Sequence, residues 1–204
     1  MSRYTGPVTK KSRRLGVMLF FNGESKTKAF NKKRYKPGEH GQKRFSQTSE
    51  FSKQLQEKQK ARFMYGISEK QCKNYYVKAA KSPEVTGVQF MKLLEQRLDN
   101  TIFRAGIAAT RPQARQIVSH GLVILNKRKV KSPSIQIKIG DTFEIKNTKK
   151  DSKLFEEAKK EKYKPPKWLK VDIKGLKGEI EAMPDKDDIE QVIDSQLITE
   201  FYSK

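Results

Sequence analysis

Residues 94–121 read LEQRLDNTIFRAGIAATRPQARQIVSHG, and residues 122–145 read LVILNKRKVKSPSIQIKIGDTFEI. Apolar residues in the first segment recur at helical spacing. Thr110 and Gln113 form a capping box that opens a helix, and Gly121 is placed to end it. The first segment therefore predicts a pair of helices.

The second segment has a different period. From Leu122 onwards apolar and polar residues alternate, with turn residues at Asn126-Lys127 and Gly140-Asp141. Alternation between turn residues is typical of short antiparallel strands. The two segments together predict two helices packed on a short antiparallel sheet.

Helical periodicity continues on both sides of this unit. A helix is predicted from Ser49 to Gly66, and capping boxes at Ser68–Gln71 and Thr86–Gln89 open two more. Beyond the unit we predict a helix from Asp151 through Lys162, short strands near Val171 and Ile180, and an amphipathic segment over residues 189–201.

The predicted fold class is α+β: a helical domain with an inserted small α/β module, two helices packed on a short antiparallel sheet. Residues 1–46 are predicted to form a basic extended arm that becomes ordered when it binds a partner. Residues 47–94 begin the helical domain, and residues 95–149 form the module. Residues 150–204 complete the helical domain as a near-neutral segment that packs on it.

Charge is concentrated in the first three quarters of the chain. The 204 residues carry 45 Lys and Arg against 23 Asp and Glu, a net charge of +22. Residues 1–62 have a net charge of +13 and residues 63–150 of +11, whereas residues 151–204 have −2. An excess of one sign indicates a polyanionic partner and says nothing about the fold. The basic part is therefore the predicted RNA-facing part.

The helix after Thr110 has a basic face. Arg111 and Arg115 are one turn apart, while Ala114 and Ile117 face the other way and can pack against the preceding helix. The positive end of this helix suits a phosphate, and the basic turn at 127–129 follows. The alternative is a solvated face with capping arginines. We favour RNA binding because few acids accompany these cations.

The predicted RNA-binding residues come from the arm, the first large helix and the module. They are Arg3, Arg13, Arg14, His40, Lys43, Lys58, Lys60, Arg62, Arg97, Arg104, Arg111, Gln113, Arg115, Gln116, His120, Lys127, Arg128 and Lys129. Tyr75 and Tyr76 could stack on bases, but their helical spacing with Cys72 favours core packing.

The stretch from Leu94 to Ile145 resembles the small RNA-binding domain first described in ribosomal protein S-four. The resemblance to that family extends over nearly the whole chain. It is carried by MSRYTGP at residues 1–7, PGEHG at 37–41, KWL at 167–169 and FYSK at 201–204. Matches in this order are far more specific than the module alone, which also occurs in RNA-modifying enzymes.

The resemblance implies a structural role in the small ribosomal subunit. Members of the family bind small-subunit ribosomal RNA at a multi-helix junction, nucleate assembly and lie near the messenger entry path. They contact neighbouring ribosomal proteins, including S-five, and contribute to decoding accuracy. Some also repress translation of their own messenger.

Two features depart from the family pattern. Many members carry a cysteine cluster in the arm that binds zinc, whereas the one cysteine here is Cys72. One cysteine cannot build a four-ligand zinc site, so we predict no metal. The second departure is Asn126-Lys127, where members usually have Asn-Gly; the lysine would be strained in a turn that needs positive φ, or the turn type differs.

The sequence does not favour an enzyme or a membrane protein. Neither His40 nor His120 has an evident nucleophile or orienting acid beside it, and no phosphate-binding glycine motif is present. We expect no cofactor, small-molecule substrate, membrane span or signal peptide, and a cytoplasmic or organelle-matrix location. The alternatives are a free-standing RNA chaperone acting on ribosomal subunits and an RNA-modifying enzyme such as a pseudouridine synthase. The latter would need a catalytic domain for which the 54 residues after 150 are too few.

Overall fold

A computed structural model describes residues 4, 6–19, 24–42, 48–156, 158, 164–185, 188–189 and 191–203. The chain folds as two compact units. The first comprises Met1–Phe90 with Glu190–Lys204, and the second comprises Met91–Ile189. In the described part of the chain, no helix is both long and apolar enough to cross a membrane.

The first unit is helical. Its elements are α1 (Val8–Leu15), α2 (Glu24–Lys32), a 3-10 helix (Glu39–Gln42), α3 (Glu50–Met64), α4 (Glu69–Ala80), the first half of α5 (Thr86–Glu95) and α8 (Ser195–Ser203). The capping box predicted at Ser68 and Gln71 is present at the start of α4.

The prediction of an extended arm over residues 1–46 is wrong for the described residues, because α1 and α2 lie within it. Helix α1 follows Pro7 and ends at Gly16, whose φ of 71° is readily adopted by glycine. Leu15 and Leu19 are buried. Burial of these two leucines gives the segment an apolar contact that a solvated arm lacks.

Helix α8 packs on α3 and α4. The side chain of Gln54 donates to Glu200 at 2.9 Å, and the ring of Tyr76 stacks on Tyr202 with centroids 4.8 Å apart. Cys72 and Ala79 of α4 are fully buried on the same side. Tyr76 thus packs against α8, but it is half-buried and does not belong to the fully buried core that the sequence predicted for it.

The second unit combines helices with a sheet. It contains α6 (Leu98–Arg104), α7 (Arg111–Ser119), β1 (Val123–Leu125), β2 (Arg128–Val130), β3 (Thr142–Ile145), β4 (Leu169–Asp172) and β5 (Lys177–Ile180). The strands form one antiparallel sheet in the order β2-β1-β3-β5-β4. Leu98, Ile102 and Ile117 of the helices share a core with Phe143 and Ile145. The predicted α+β class is confirmed.

The predicted packing of all of residues 150–204 on the helical domain needs correction. Strand β5 pairs with β3, with Phe143 opposite Gly178, and Trp168 and Ile180 are buried in the same core. The physical reason is that one edge of β3 would otherwise leave its backbone groups unpaired. Within this segment, only the residues from Glu190 onwards belong to the first unit.

The start of the helix predicted from Asp151 through Lys162 also differs, whereas Glu156 and Ala158 within it are helical as predicted. The described residues show a 3-10 helix at Lys153–Phe155, and its N-cap is Ser152 rather than Asp151. Phe155 is fully buried and joins the core of the second unit. Residues 157 and 159–162 of the predicted helix lie outside the described part of the chain.

Candidate nucleic-acid interface

Helix α7 begins as the sequence predicts. The hydroxyl of Thr110 accepts from the backbone N–H of Gln113 at 3.2 Å. The side-chain oxygen of Gln113 accepts from the N–H of Ala109 at 2.9 Å. Thr110 is thus the N-cap, but Gln113 reaches one residue further back than in a standard capping box. Gln113 serves the helix start through its oxygen and retains its amide N–H donors.

Asn100, Phe103 and Glu95 contact the side chain of Arg111. Its Nε donates to Oδ1 of Asn100 at 2.8 Å, and its guanidinium lies 4.5 Å from the ring centroid of Phe103. Its Nη2 lies 4.0 Å from the Glu95 carboxylate, which is fully buried. These contacts fix the guanidinium, so Arg111 is oriented before any ligand binds.

Asp99 connects two further arginines. Arg97 donates to both carboxylate oxygens of Asp99, from Nε at 2.9 Å and from Nη2 at 2.6 Å. The Nη1 of Arg115 lies 3.9 Å from Oδ2 of Asp99. Arg97 has a side-chain exposure of 1%, whereas that of Arg115 is 14%. Arg97 is therefore an interior residue of the network, and Arg115 reaches its edge.

More acidic groups contact these arginines than the sequence suggested. Glu95 accepts from Arg104 at 2.8 and 3.0 Å, and from the side-chain N–H of Asn100 at 2.6 Å. Glu95 and Asp99 thus neutralise part of the charge of Arg97, Arg104, Arg111 and Arg115. The reason for the difference is tertiary: α7 is brought against the two acids that flank the start of α6. We leave Arg97 out of the proposed surface because it lies inside.

The turn after β1 has the geometry that glycine favours. Asn126 and Lys127 have φ values of 48° and 63°. Positive φ at both central residues is the mark of a type I′ hairpin turn. The side chain of Asn126 supports it by accepting from the N–H of Thr142 at 2.9 Å and donating to Asp141 at 2.7 Å. The turn type is therefore the usual one, and Lys127 adopts a strained conformation in it.

The end of α7 and strand β2 meet at Gly121. A Cβ on Gly121 would lie 2.7 Å from Cε of Lys129 and 3.2 Å from Cγ of Lys131, and its φ is 67°. The positive φ therefore favours glycine here, and a side chain at this position would also displace the flexible end of Lys129. The preceding residue, His120, is exposed. This contact brings the helix end together with Lys129 of β2 and with Lys131, which follows the strand.

We define the α7–turn surface by the accessible cations and polar groups of this region. It comprises Arg111, Gln113, Arg115, Gln116, His120, Lys127, Arg128, Lys129 and Lys131. Gln116 and the residues of the turn from Lys127 to Lys129 are exposed. The side chains of Arg111 and Arg115 are largely buried, with exposures of 9% and 14%, and only their edges reach the surface. Fixed guanidinium groups beside exposed lysines suit a ligand with several phosphates.

The three predicted cations of α3 have acidic partners in the first unit. Lys58 is nearly buried, and its Nζ lies 2.8 Å from Glu69 and 4.3 Å from the ring centroid of Phe201. Lys60 pairs with Glu57 at 2.5 Å, and Arg62 pairs with Glu69 at 3.2 Å. Lys58 thus has a packing role, while Lys60 and Arg62 are only partly exposed.

Glu69 holds the α3–α4–α8 packing together electrostatically. Burial raises the pKa of its carboxyl, but hydrogen bonds from Lys58, Tyr202 and Arg62 lower it by more. The resulting pKa lies below the ordinary value of 4.5. Glu69 is therefore a carboxylate at neutral pH and supplies the nearly buried Lys58 with an anionic partner.

The predicted cations of the amino-terminal region lie in the first unit. Arg13 donates from Nε to the backbone oxygen of Tyr35 at 3.1 Å and lies over its ring at 4.9 Å. Arg14 and His40 are exposed. Arg3 and Lys43 lie outside the described residues, so their roles stay predictions.

In the described part of the chain, no three His, Cys, Asp or Glu side chains are grouped so that they could hold a metal ion. The sequence-based expectation of a zinc-free arm stays a prediction. Burial raises the pKa of the Cys72 thiol to about 11, which opposes formation of the thiolate that metals bind.

Sequence reasoning missed two sets of residues. The first is Lys131, whose side chain passes Gly121 beside Lys129. The second is a row of lysines on the outer side of α4, which the helical spacing within that segment could have identified. The apolar positions of α4 predict which side is buried, but they do not show that the lysines share the other side.

Comparison with known proteins connects this arrangement to a family. A model described as the ribosomal protein S4/S9 N-terminal domain matches residues 3–95, and one described as the S4 domain matches residues 96–143. The small ribosomal subunit protein uS4 of Mesomycoplasma hyopneumoniae (strain 7448) is 46% identical over 208 aligned residues. Those of Halothermothrix orenii and Pediococcus pentosaceus are 43% and 42% identical. Each alignment covers 100% of both chains. The resemblance read from the sequence is thus confirmed, and the chain belongs to the ribosomal protein S4 (uS4) family.

Proposed function

We propose that this chain is a structural constituent of the small ribosomal subunit and binds small-subunit ribosomal RNA directly. The observation that carries the proposal is the α7–turn surface, which gathers exposed and partly exposed cations on one unit of a chain in this family. Its relatives are named as small ribosomal subunit proteins. The role is one of binding rather than of catalysis.

The α7–turn surface is suited to phosphates in two ways. Arg111 and Arg115 are partly buried, fixed by Asn100 and Asp99, and present planar donors that match phosphate oxygens. Lys127, Arg128 and Lys129 are exposed and can follow a backbone of variable shape. RNA helices are recognised largely by shape and by contacts to phosphates and 2′-hydroxyls. We therefore propose recognition of folded RNA rather than of a base sequence.

The finer part of the proposal concerns the place of the protein on the ribosome. We propose that it binds early and nucleates assembly, lies near the messenger entry path, contacts the S-five protein and contributes to decoding accuracy. We also place it with the ribosomes in the cytoplasm. These points rest on the resemblance to the family.

Sedimentation of a cell lysate on a sucrose gradient tests the proposal. With magnesium present, the chain should sediment with small subunits and with whole ribosomes, and it should stay with the small subunit when low magnesium separates the subunits. Recovery at the top of the gradient, or with large subunits, would contradict the proposal. An immunoblot of each fraction gives the readout.

A further inference from the structure

Asn100 lies between a buried acid and a cation of the α7–turn surface. It is 2% exposed and belongs to the first turn of α6. Its Oδ1 accepts from Nε of Arg111 at 2.8 Å. Its Nδ2 donates to Glu95, to the carboxylate oxygen Oε2 at 2.6 Å and to the backbone oxygen at 3.0 Å. The two ends of one amide thus bind different partners.

These partners leave the Asn100 amide one orientation. Its oxygen must face Arg111, whose guanidinium carries donors only, and its N–H groups must face the oxygens of Glu95, which accept. Turning the amide over would place oxygen against oxygen and nitrogen against nitrogen. An aspartate at this position could accept from Arg111 but could not donate to Glu95. The pair of contacts therefore favours asparagine.

Glu95 is itself fixed in the interior of the second unit. Its side chain is fully buried, and Arg104 donates to both of its carboxylate oxygens, from Nη2 at 2.8 Å and from Nε at 3.0 Å. A bidentate arginine–carboxylate pair is stronger and more directional than a single hydrogen bond. We call the contacts from Arg104 through Glu95 and Asn100 to Arg111 the polar chain. It starts from a rigid buried pair and ends at the α7–turn surface.

A ring contact also acts on the guanidinium of Arg111. Its central carbon lies 4.5 Å from the ring centroid of Phe103. The hydrogen bond to Asn100 fixes one edge of the guanidinium, and the ring contact restrains its face. The side chain of Arg111 is only 9% exposed. Because so little of the group is accessible, its orientation decides whether a phosphate can reach its N–H donors.

We infer that Asn100 is a positioning residue for RNA binding, which acts through Arg111 and does not touch the ligand. By holding Nε, Asn100 presents the guanidinium in one orientation, so that binding does not have to immobilise a long side chain. The inference rests on the proposed function and adds to it a source of geometric selectivity. Loss of Asn100 changes the direction in which the charge of Arg111 is presented, but it leaves the amount of charge unchanged.

The test measures how tightly full-length variants bind small-subunit ribosomal RNA and an unrelated structured RNA of equal length, over a range of salt concentrations. Asn100→Ala releases Arg111 but keeps its charge. Arg111→Lys keeps the charge but removes the guanidinium that Asn100 holds. Thr101→Val is the matched control in the same helix. It removes a fully buried hydroxyl that donates to the backbone oxygen of Arg97 at 2.9 Å, outside the polar chain.

Asn100→Ala and Arg111→Lys should each lower the affinity for small-subunit RNA about 3–10-fold, because binding must then immobilise a free side chain. The salt slope should change by less than about 0.3 units, since it counts neutralised phosphates and no cation is removed. Affinity for the unrelated RNA should change less than about twofold, because it depends on charge alone. The double variant should bind about as tightly as either single variant, since both changes break the same contact. Thr101→Val should be less stable in urea but should bind both RNAs like the unaltered protein.

Full affinity of Asn100→Ala, or an equal loss of affinity in Thr101→Val, would overturn the inference, because binding would then ignore the placement of Arg111 or merely follow stability. Losses that multiply in the double variant would also overturn it. If circular dichroism shows that Asn100→Ala is unfolded, Arg111→Lys decides, since full affinity of that variant would show that charge alone suffices. In each of these cases the unaltered protein still prefers small-subunit RNA, so the proposed function stands. If the unaltered protein bound that RNA no better than the unrelated RNA, the proposed function would fail, and the inference with it.

Discussion

The Nε of Arg111 donates to Oδ1 of Asn100 across 2.8 Å, so the first residue of α7 is tied to the first turns of α6. Asn100 in turn donates to the buried Glu95 at 2.6 Å. A cation on the α7–turn surface is thus connected to the interior of the second unit. Binding and stability are therefore coupled at Arg111.

Replacing Arg111 and Arg115 together by alanine should weaken binding to ribosomal RNA and also reduce stability. Loss of two phosphate contacts should lower the salt slope by about 1.5 units. Glu95 and Asp99 would each lose a cationic neighbour, which should lower the free energy of unfolding by about 1–3 kcal/mol while the protein stays folded. Filter binding and urea denaturation measure the two effects.

The matched control is Lys170→Ala with Lys174→Ala, which removes two exposed charges from the same unit. It should leave both the affinity and the unfolding midpoint nearly unchanged. Equal RNA affinity for the Arg111/Arg115 variant and this control would contradict the assignment of α7.

Lys127→Gly should increase the stability of the protein while it weakens RNA binding. Lys127 has a φ of 63°, and a non-glycine residue in this left-handed region costs about 1 kcal/mol. Glycine should therefore raise the free energy of unfolding by about that amount, while loss of the charge weakens RNA binding. Lys127→Ala removes the charge without relieving the strain, so it should weaken binding and leave stability unimproved. A glycine variant that is less stable than the alanine variant would contradict this account of the turn.

Glu69→Gln should destabilise the first unit. The change leaves Lys58, with a side-chain exposure of 7%, without its anionic partner. We expect a loss of about 1–2 kcal/mol, less than for a fully buried pair because the carboxylate is nearly half exposed. Thermal unfolding of the variant beside Glu50→Gln, whose partner Lys53 is exposed, measures the difference.

The same residue predicts a pH dependence. The pKa of Glu69 is lowered below 4.5 in the folded protein, so the carboxylate stabilises the fold above pH 4.5. That contribution should be lost as the pH falls below 4.5 and through the folded pKa. The stability of unaltered protein and of Glu69→Gln should converge on acidification. A constant difference between pH 7 and pH 3 would count against the ion pair.

The Cys72 thiol should react slowly in the folded protein. Burial raises its pKa from 9.0 to about 11, so at pH 8 the thiolate fraction should be about 100-fold lower than in the unfolded chain. Reaction with a disulfide reagent, followed by absorbance with and without denaturant, measures this ratio. Equal rates in the two conditions would show that the thiol is accessible and ionised.

The purified protein should contain no stoichiometric zinc. The prediction rests on the arm, which has no cysteine, and on the isolated and buried Cys72. Elemental analysis should give far less than one zinc per chain, and a chelator should not shift the unfolding midpoint. One tightly held metal ion per chain would refute it.

The sequence was most informative where a local signal is strong. Thr110 and Gly121 marked both ends of α7, and Ser68 with Gln71 marked the start of α4, because caps are read from neighbouring residues. The alternation after Leu122 also predicted the first three strands. These signals need no knowledge of tertiary contacts.

Other features depend on contacts between distant residues. Strands β4 and β5 are short, and their attachment to β3 depends on the pairing of Phe143 with Gly178. Likewise, the burial of Arg97 against Asp99 depends on how α6 and α7 meet the loop before β3. Periodicity reports which side of an element is apolar, but it does not report which acid a given arginine meets.

The most direct test of the central claim is the salt dependence of binding between the full-length protein and small-subunit ribosomal RNA. If the basic surfaces neutralise six to ten phosphates, affinity should fall about 10³–10⁵-fold between 50 and 200 mM salt. The unaltered protein should bind this RNA more tightly than an unrelated structured RNA of equal length. A shallow salt dependence, or equal affinity for the two RNAs, would contradict the account.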